Sequence, residues 1–270
     1  MNKSIAKVEA STAVTTITAA DLDYMQSMAG RGTEQITSKD MSIPFLRILA
    51  QLSPQVNKRD GAYVEGAEAG FIYNTASNEA YNGEKGVEVI PCYYSSRIIE
   101  WKPREKGGGF VASHHYDDKL LAKCNRDDRG NMVYVNGNYL VETMQFFVLL
   151  LHEDGPQPCI ITMSSSQLKK GKRWNTTIKN QLMKGSDGKM FQLAMFATKY
   201  LLRTVPEQND KGTWFSWDIS KIGLVNDRDL TDMASGFSDT VSSGDIVVKE
   251  NDNTDHAEEV RARTIADEVL

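Results

Sequence analysis

Residues Thr143–Leu151 read TMQFFVLLL, and after the polar turn HEDGPQ a second apolar run follows at Pro158–Met163, PCIITM. A short, densely apolar run bounded by turn residues fits a central strand covered on both faces, with its antiparallel neighbour returning beside it. No apolar run in the chain approaches the ~20 residues that a membrane-spanning helix needs.

Strand patterns continue on either side. Gly70–Gly83, GFIYNTASNEAYNG, reads as two short strands around a polar turn. Val87–Pro103, VEVIPCYYSSRIIEWKP, is a long β-branched and aromatic run ended by proline. In Met132–Glu142, MVYVNGNYLVE, an Asn-Gly pair sits between strand formers, and both residues tolerate the positive φ that a tight hairpin requires. The period then changes. Leu168, Gly171, Trp174, Ile178 and Leu182 recur at spacings of three and four, which predicts a helix with Ser166 as its cap. Strand patterns return in FATKYLLRTV (196–205) and GTWFSWDISKIG (212–223), separated by PEQNDK, and a last helix is expected from Asp227 to about Val241, capped by Asn226.

This order predicts a mainly β (α+β) fold. The expected architecture is a Greek-key barrel of the oligonucleotide-binding type, with extra hairpins and a helix between the third and fourth core strands. By composition the chain divides into a flexible segment at residues 1–40, a folded body at 41–225 and an acidic tail at 226–270. Within the first segment, Ala20–Met28 has helical character, with Asp21 placed to cap it.

Composition narrows the function classes. The 270 residues are 40% hydrophobic and 25% charged, ordinary for a soluble domain. The first twenty residues lack the apolar core of a secretory signal, so a cytoplasmic protein is expected. Cys92, Cys124 and Cys159 are odd in number and widely spaced, which argues for reduced, buried thiols and against a disulfide framework or a zinc site.

Charge is distributed unevenly. The net charge is −5, yet residues 226–270 hold twelve acidic against four basic side chains, leaving 27 basic against 24 acidic in residues 1–225. Between Ser164 and Val205 lie Lys169, Lys170, Lys172, Arg173, Lys179, Lys184, Lys189, Lys199 and Arg203, opposed by Asp187 alone. A basic surface joined to an acidic tail points to a polyanionic partner, with the tail as competitor or docking peptide. The Walker GxxxxGK[ST] pattern is absent, so a nucleotide held in a P-loop is not indicated. The basic stretch lacks the broad apolar face that inserts into lipid. Extended single-stranded nucleic acid fits better, because it is held by cations for its phosphates and by aromatic faces for its bases.

Strand alternation sorts the aromatic candidates. Tyr93, Arg97, Ile99 and Trp101 share one face, and Lys199 and Arg203 share another, opposite Tyr200 and Leu202. Trp214 alternates with Phe215 and Trp217 and is the better candidate for an open platform, Trp217 for the core. The expected phosphate contacts are therefore Lys169, Lys170, Lys172, Arg173, Lys179, Lys199 and Arg203, with Arg97 beside them. Tyr93, Trp101 and Trp214 are the expected stacking groups.

The segments MSIPFLRILAQLSPQV (41–56), Gly70–Pro103, SSSQLKKGKRWN (164–175) and NDKGTWFSWDIS (209–220) resemble a family of tailed-bacteriophage replication-associated proteins, often regarded as single-stranded DNA-binding proteins. The resemblance spans about Ser42 to Ile222. It implies an oligonucleotide-binding barrel, a phage origin, residence in the host cytoplasm and a role on single strands during replication or recombination. Many single-strand binders end in an acidic segment tipped by apolar residues. Asp267, Glu268, Val269 and Leu270 resemble that ending, although Arg261 and Arg263 interrupt the acids, and such a tip is expected to recruit replication or recombination proteins.

Two rival classes make different demands. HHYDD (114–118) followed by Lys119 loosely resembles metal-dependent nuclease sites, but it lacks a second carboxylate group at a recognisable spacing. A phage structural or host-interaction protein would need no nucleic acid at all. The expectation is a binding protein without catalytic residues, metal or cofactor. If the tail competes for the basic surface, deleting residues 245–270 tightens binding of oligo(dT) at low salt; unchanged affinity in a fluorescence titration contradicts the competition.

Overall fold

A computed structural model of the chain describes residues 18–37, 40, 42–128, 130–209, 212–244, 246 and 248. It divides into two compact units, Met1–Met41 and Ser42–Leu270. In the first, helix α1 (Ala19–Ser27) opens with a capping box. Thr18 accepts from the Asp21 amide while the Asp21 carboxylate accepts from the Thr18 amide, so Asp21 closes the box from the third helical position.

The second unit starts with a small antiparallel sheet of β1 (Leu46–Ile48), β2 (Ile72–Asn74) and β3 (Ala80–Tyr81). The long β4 (Val87–Trp101) follows, then β5 (Phe110–His115), the single turn α2 (Asp118–Leu121), β6 (Asn125–Arg126) and β7 (Met132–Val133). Next come the long β8 (Tyr139–His152), its partner β9 (Gly155–Ser164) and helix α3 (Leu168–Lys179). A separate hairpin of β10 (Leu182–Lys184) and β11 (Met190–Gln192) leads into β12 (Thr198–Asn209), β13 (Gly212–Leu224) and helix α4 (Arg228–Ser242).

The β4–β8 ribbon is the axis of the unit, and each of its outer edges is shared between two shorter partners. One edge of β4 pairs with β12 over Val87–Val89 and with β5 over Arg97–Trp101. The outer edge of β8 pairs with β9 from Thr143 to His152 and with β7 at Tyr139 and Leu140. The near end therefore has the order β13-β12-β4-β8-β9 and the distal end β5-β4-β8-β7-β6. The whole curls as an antiparallel half-barrel. The Asn-Gly hairpin expected from the sequence joins β7 to β8, with Gly137 at φ +80°.

Strand alternation explains why TMQFFVLLL carries so few polar groups. Met144, Phe146, Val148 and Leu150 point into the hollow of the half-barrel, where they meet Cys159, Ile161, Met163, Leu202 and Trp217. Phe147 and Leu149 point the other way, toward α4, which covers them with Leu230, Ala234, Phe237 and Val241. Both faces of β8 are thus dry, as a central strand requires. Cys92 and Cys159 are free and buried, which pushes both thiols up to about 12.

Helix α3 closes the hollow. Trp174 stacks on Phe146 at 4.5 Å between ring centres and meets Tyr200 edge-on at 5.6 Å. Gly171 makes the close approach possible, because a Cβ there would lie 2.7 Å from the Met144 sulfur. The expected cap is not used. A 3₁₀ turn, Ser165–Gln167, precedes the helix, and no side chain caps it. The Gln167 carboxamide instead serves the free edge of β13, donating to the Phe215 carbonyl at 3.2 Å and accepting from the Trp217 amide at 3.3 Å and the Ser216 hydroxyl at 3.0 Å. Leu182 also departs from the expected stripe, since the helix ends at Lys179 and Leu182 starts β10. At α4 the cap is Asp227, which accepts from the Leu230 amide at 3.1 Å, one residue beyond the expected Asn226.

The small sheet is held on by strand-like contacts: Phe45 bridges Ile160 in parallel, and the Thr204 amide donates to the Gly83 carbonyl at 2.9 Å. Since Trp174 is 2% exposed and links α3 to both β8 and β12, its replacement by alanine should cost about 3–5 kcal/mol, measured as a lowered urea midpoint.

Candidate nucleic-acid interface

The orientation that Trp174 imposes on α3 decides where its cations go. Gly171, Trp174 and Ile178 face the core, so Lys169, Lys172, Arg173 and Lys179 project into solvent. Among the described residues no acidic side chain pairs with any of the four. Lys170, on the flank of the helix, donates to Glu207 at 2.8 Å. That bond holds the Glu207 carboxyl below its ordinary range, against an opposing effect of burial. Glu207 stands directly across the β12–β13 ladder from Trp214, which is half-buried. The start of α3 and Trp214 are therefore brought together, but Trp214, expected as an open platform, is half-buried with its indole nitrogen shielded from solvent.

The other candidates lie elsewhere, and the single channel expected from the sequence is divided. Tyr93, Arg97 and Trp101 do share a face of β4, in register with Phe147, Thr143 and Tyr139 of β8, but it is the face opposite α3. Tyr93 packs edge-on against Phe147, 6.1 Å between ring centres, in the cluster that α4 covers. Arg97 is tied to Ser95 at 3.1 Å and to the His115 ring at 3.0 Å. Trp101 is half-buried, with its ring 6.1 Å from that of Phe110. Lys199 and Arg203 point away from the buried Tyr200 and Leu202, as expected, and so away from the hollow. Lys199 lies 3.9 Å from Glu88, whereas Arg203, exposed opposite Asp218, shares its face of the ladder with Glu207 and Trp214. The physical reason is alternation itself, because a strand in a two-sided sheet sends adjacent residues to different layers. The tail candidates Asp267, Glu268, Val269 and Leu270 lie outside the described residues.

The HHYDD segment is spent on local structure. His114 contacts Glu100 at 2.9 Å, His115 meets Arg97, the Tyr116 hydroxyl donates to Asp118, and Asp117 caps α2 by accepting from the Lys119 amide. Among the described residues no three His, Cys, Asp or Glu side chains form a metal-holding group.

Two features escaped the sequence reading. One is Glu100, 5% exposed, whose carboxylate accepts from Asn136 at 2.8 Å and from Asn138, besides His114. It ties β4 to β5 and to the Asn-Gly turn, and its sequence mark was an acid between the apolar Ile99 and Trp101. The other is the β10–β11 hairpin, where Leu182, Met190 and Phe191 are all exposed. The pattern QLMKGSDGKMFQ, with apolar residues around a Gly-rich turn, was the available mark.

A family model described as Pam3 phage gp34-like protein matches residues 10–247. No curated protein and no solved structure matches the chain.

Glu100 gives the distal end a pH dependence. Burial alone would raise its pKa, but the hydrogen bonds from Asn138, Asn136 and His114 outweigh it and hold the carboxyl below its ordinary 4.5. A depressed folded-state pKa contributes stability that is complete above the unfolded value and lost as pH falls through the folded one. Glu100→Gln should therefore destabilise the fold at pH 7 by about 1–3 kcal/mol for the broken network, read as a lowered urea midpoint. The gap to the unaltered protein should narrow as pH drops below 4.5.

Proposed function

The chain belongs to the Pam3 phage gp34-like protein family, and from that premise we propose a phage single-stranded DNA-binding protein that tolerates any sequence and acts in replication or recombination. The observation that carries the reading is the outer face of α3, where Lys169, Lys172, Arg173 and Lys179 stand in solvent with no acidic partner among the described residues. In a chain of net charge −5, four unneutralised cations on one face of a rigid helix are an electrostatic footprint for phosphates. Trp214, beside the start of that helix, supplies an aromatic group for stacking.

The strand order supports the same reading. Taken in chain order, β4, β8 and β9 pair as neighbours, α3 intervenes, and β12 and β13 return to the other edge of β4. A helix between the third and fourth of five antiparallel strands matches the oligonucleotide-binding barrel, and the gap between β9 and β13, spanned by Gln167 and α3, fits its partly open form. Fold is an analogy and no proof of activity, so the α3 surface carries the greater weight.

Within this proposal α3 is the primary track. Arg97 and Trp101, on the far face of the distal end, and Lys199, beside Glu88, reach the same polymer only where it wraps past the sheet, while Arg203 shares the ladder face of Glu207 and Trp214. The acidic tail, ending in Asp267, Glu268, Val269 and Leu270, is proposed to meet replication or recombination proteins.

The double change Lys172→Glu, Arg173→Glu tests the track, since both side chains are exposed and neither holds the core. Affinity for oligo(dT) and for mixed-sequence strands should fall alike. The slope of log K against log salt should shrink by about 0.7 for each phosphate that is no longer neutralised. Unchanged affinity contradicts the proposal.

A further inference from the structure

We propose that the β10–β11 hairpin is a base-stacking finger, with Phe191 as its stacking ring and Lys184 and Lys189 as its phosphate contacts. The inference rests on the single-strand reading above and extends it to an element that the sequence did not single out.

The hairpin pairs with no other strand among the described residues. Two strands alone are marginal in water, so something must hold it and something must justify its surface. The hold is at its base. The Gln181 side chain donates to the Tyr200 hydroxyl and accepts from Thr198 and, at 3.4 Å, from Lys221, while the Gln181 carbonyl accepts from the Leu193 amide at 3.0 Å. The tip is ordered as well. The Gly185 amide donates to the Lys189 carbonyl at 2.8 Å, and the Asp187 carboxylate accepts from the Lys189 amide at 3.0 Å. The result is a presented finger anchored to the core through Tyr200.

Its surface is unlike that of an ordinary turn. Leu182 is 58% exposed, Met190 60% and Phe191 47%, and register places Leu182 and Met190 on one face with Lys184, and Phe191 on the other with Met183. Scattered exposed apolar side chains need no explanation, but three large ones on a six-residue ladder that ends at Lys184, with Lys189 next to it in the turn, do. Lys184 is exposed and Lys189 lies beside it at the tip, both following Lys179 of α3 in the sequence, and Asp187, the one acid in the hairpin, is turned to its own backbone. Cations at the edges of an aromatic ring are what a single strand requires, since its charge lies on the backbone and its apolar faces on the bases; Lys184 reaches from the face opposite Phe191 and Lys189 from the tip. A second copy is a poorer occupant, because a two-fold contact through this hairpin sets the same lysines against each other.

The experiment measures oligo(dT) binding by the full chain and by Phe191→Ala, Phe191→Trp and Lys184→Glu, Lys189→Glu variants, with thermal midpoints as a folding control. Phe191→Ala should weaken binding roughly tenfold at fixed salt without altering the salt slope, and Phe191→Trp should restore it. The double lysine change should reduce the slope. If the α3 double change abolishes binding while Phe191→Ala binds as tightly as the unaltered chain, the finger is wrong and the α3 track stands. Failure of the unaltered chain to bind overturns both. Loss of self-association in Phe191→Ala, seen by sedimentation with DNA affinity unchanged, assigns the hairpin to an interface between copies and overturns the finger.

Discussion

The stack of Trp174 on Phe146 fixes the rotation of α3, and nearly everything proposed about function depends on that rotation. With the indole against β8 and Gly171 seated on Met144, the remaining sides of the helix have no course but solvent. Those sides carry Lys169, Lys172, Arg173 and Lys179. A burial that excludes water from one stripe thus concentrates charge on another, and the cationic surface follows from core packing.

The same economy governs the β4–β8 ribbon. Each strand is long enough to serve two sets of neighbours, so one pair of strands supports the half-barrel at one end and, at the other, β5 on one side with β7 and β6 on the opposite side. Alternation along β8 feeds two apolar layers at once, one closed by α3 and one by α4. At the distal end the apolar layers thin, and the buried Glu100 network takes over the task of joining strands.

Much of this was legible in the residues. The apolar density of Thr143–Leu151 announced a strand dry on both faces, Asn136–Gly137 announced its hairpin, and the stripe through Gly171, Trp174 and Ile178 announced the buried side of α3. Alternation also divided Tyr200 and Leu202 from Lys199 and Arg203. What alternation cannot disclose is which helix covers which face of a strand. Tyr93, Arg97 and Trp101 do belong together, yet α3 packs on the other side of β4, so aromatic groups expected to line one channel with the α3 lysines stand apart from them. Ser166 looks like a cap because local rules favour it, but Gln167 is drawn to the edge of β13, nearly fifty residues away in sequence. Leu182 continues a helical spacing by coincidence, which hides the hairpin that exposes Phe191.

The central claim is that the outer face of α3 neutralises phosphates on a single strand. Oligo(dT) titrated across a salt series, followed by tryptophan fluorescence, tests it most directly. Four phosphate contacts predict a log–log slope of about −3, with quenching that saturates and does not depend on base sequence. Binding that ignores salt, or an absence of binding at low salt, contradicts it.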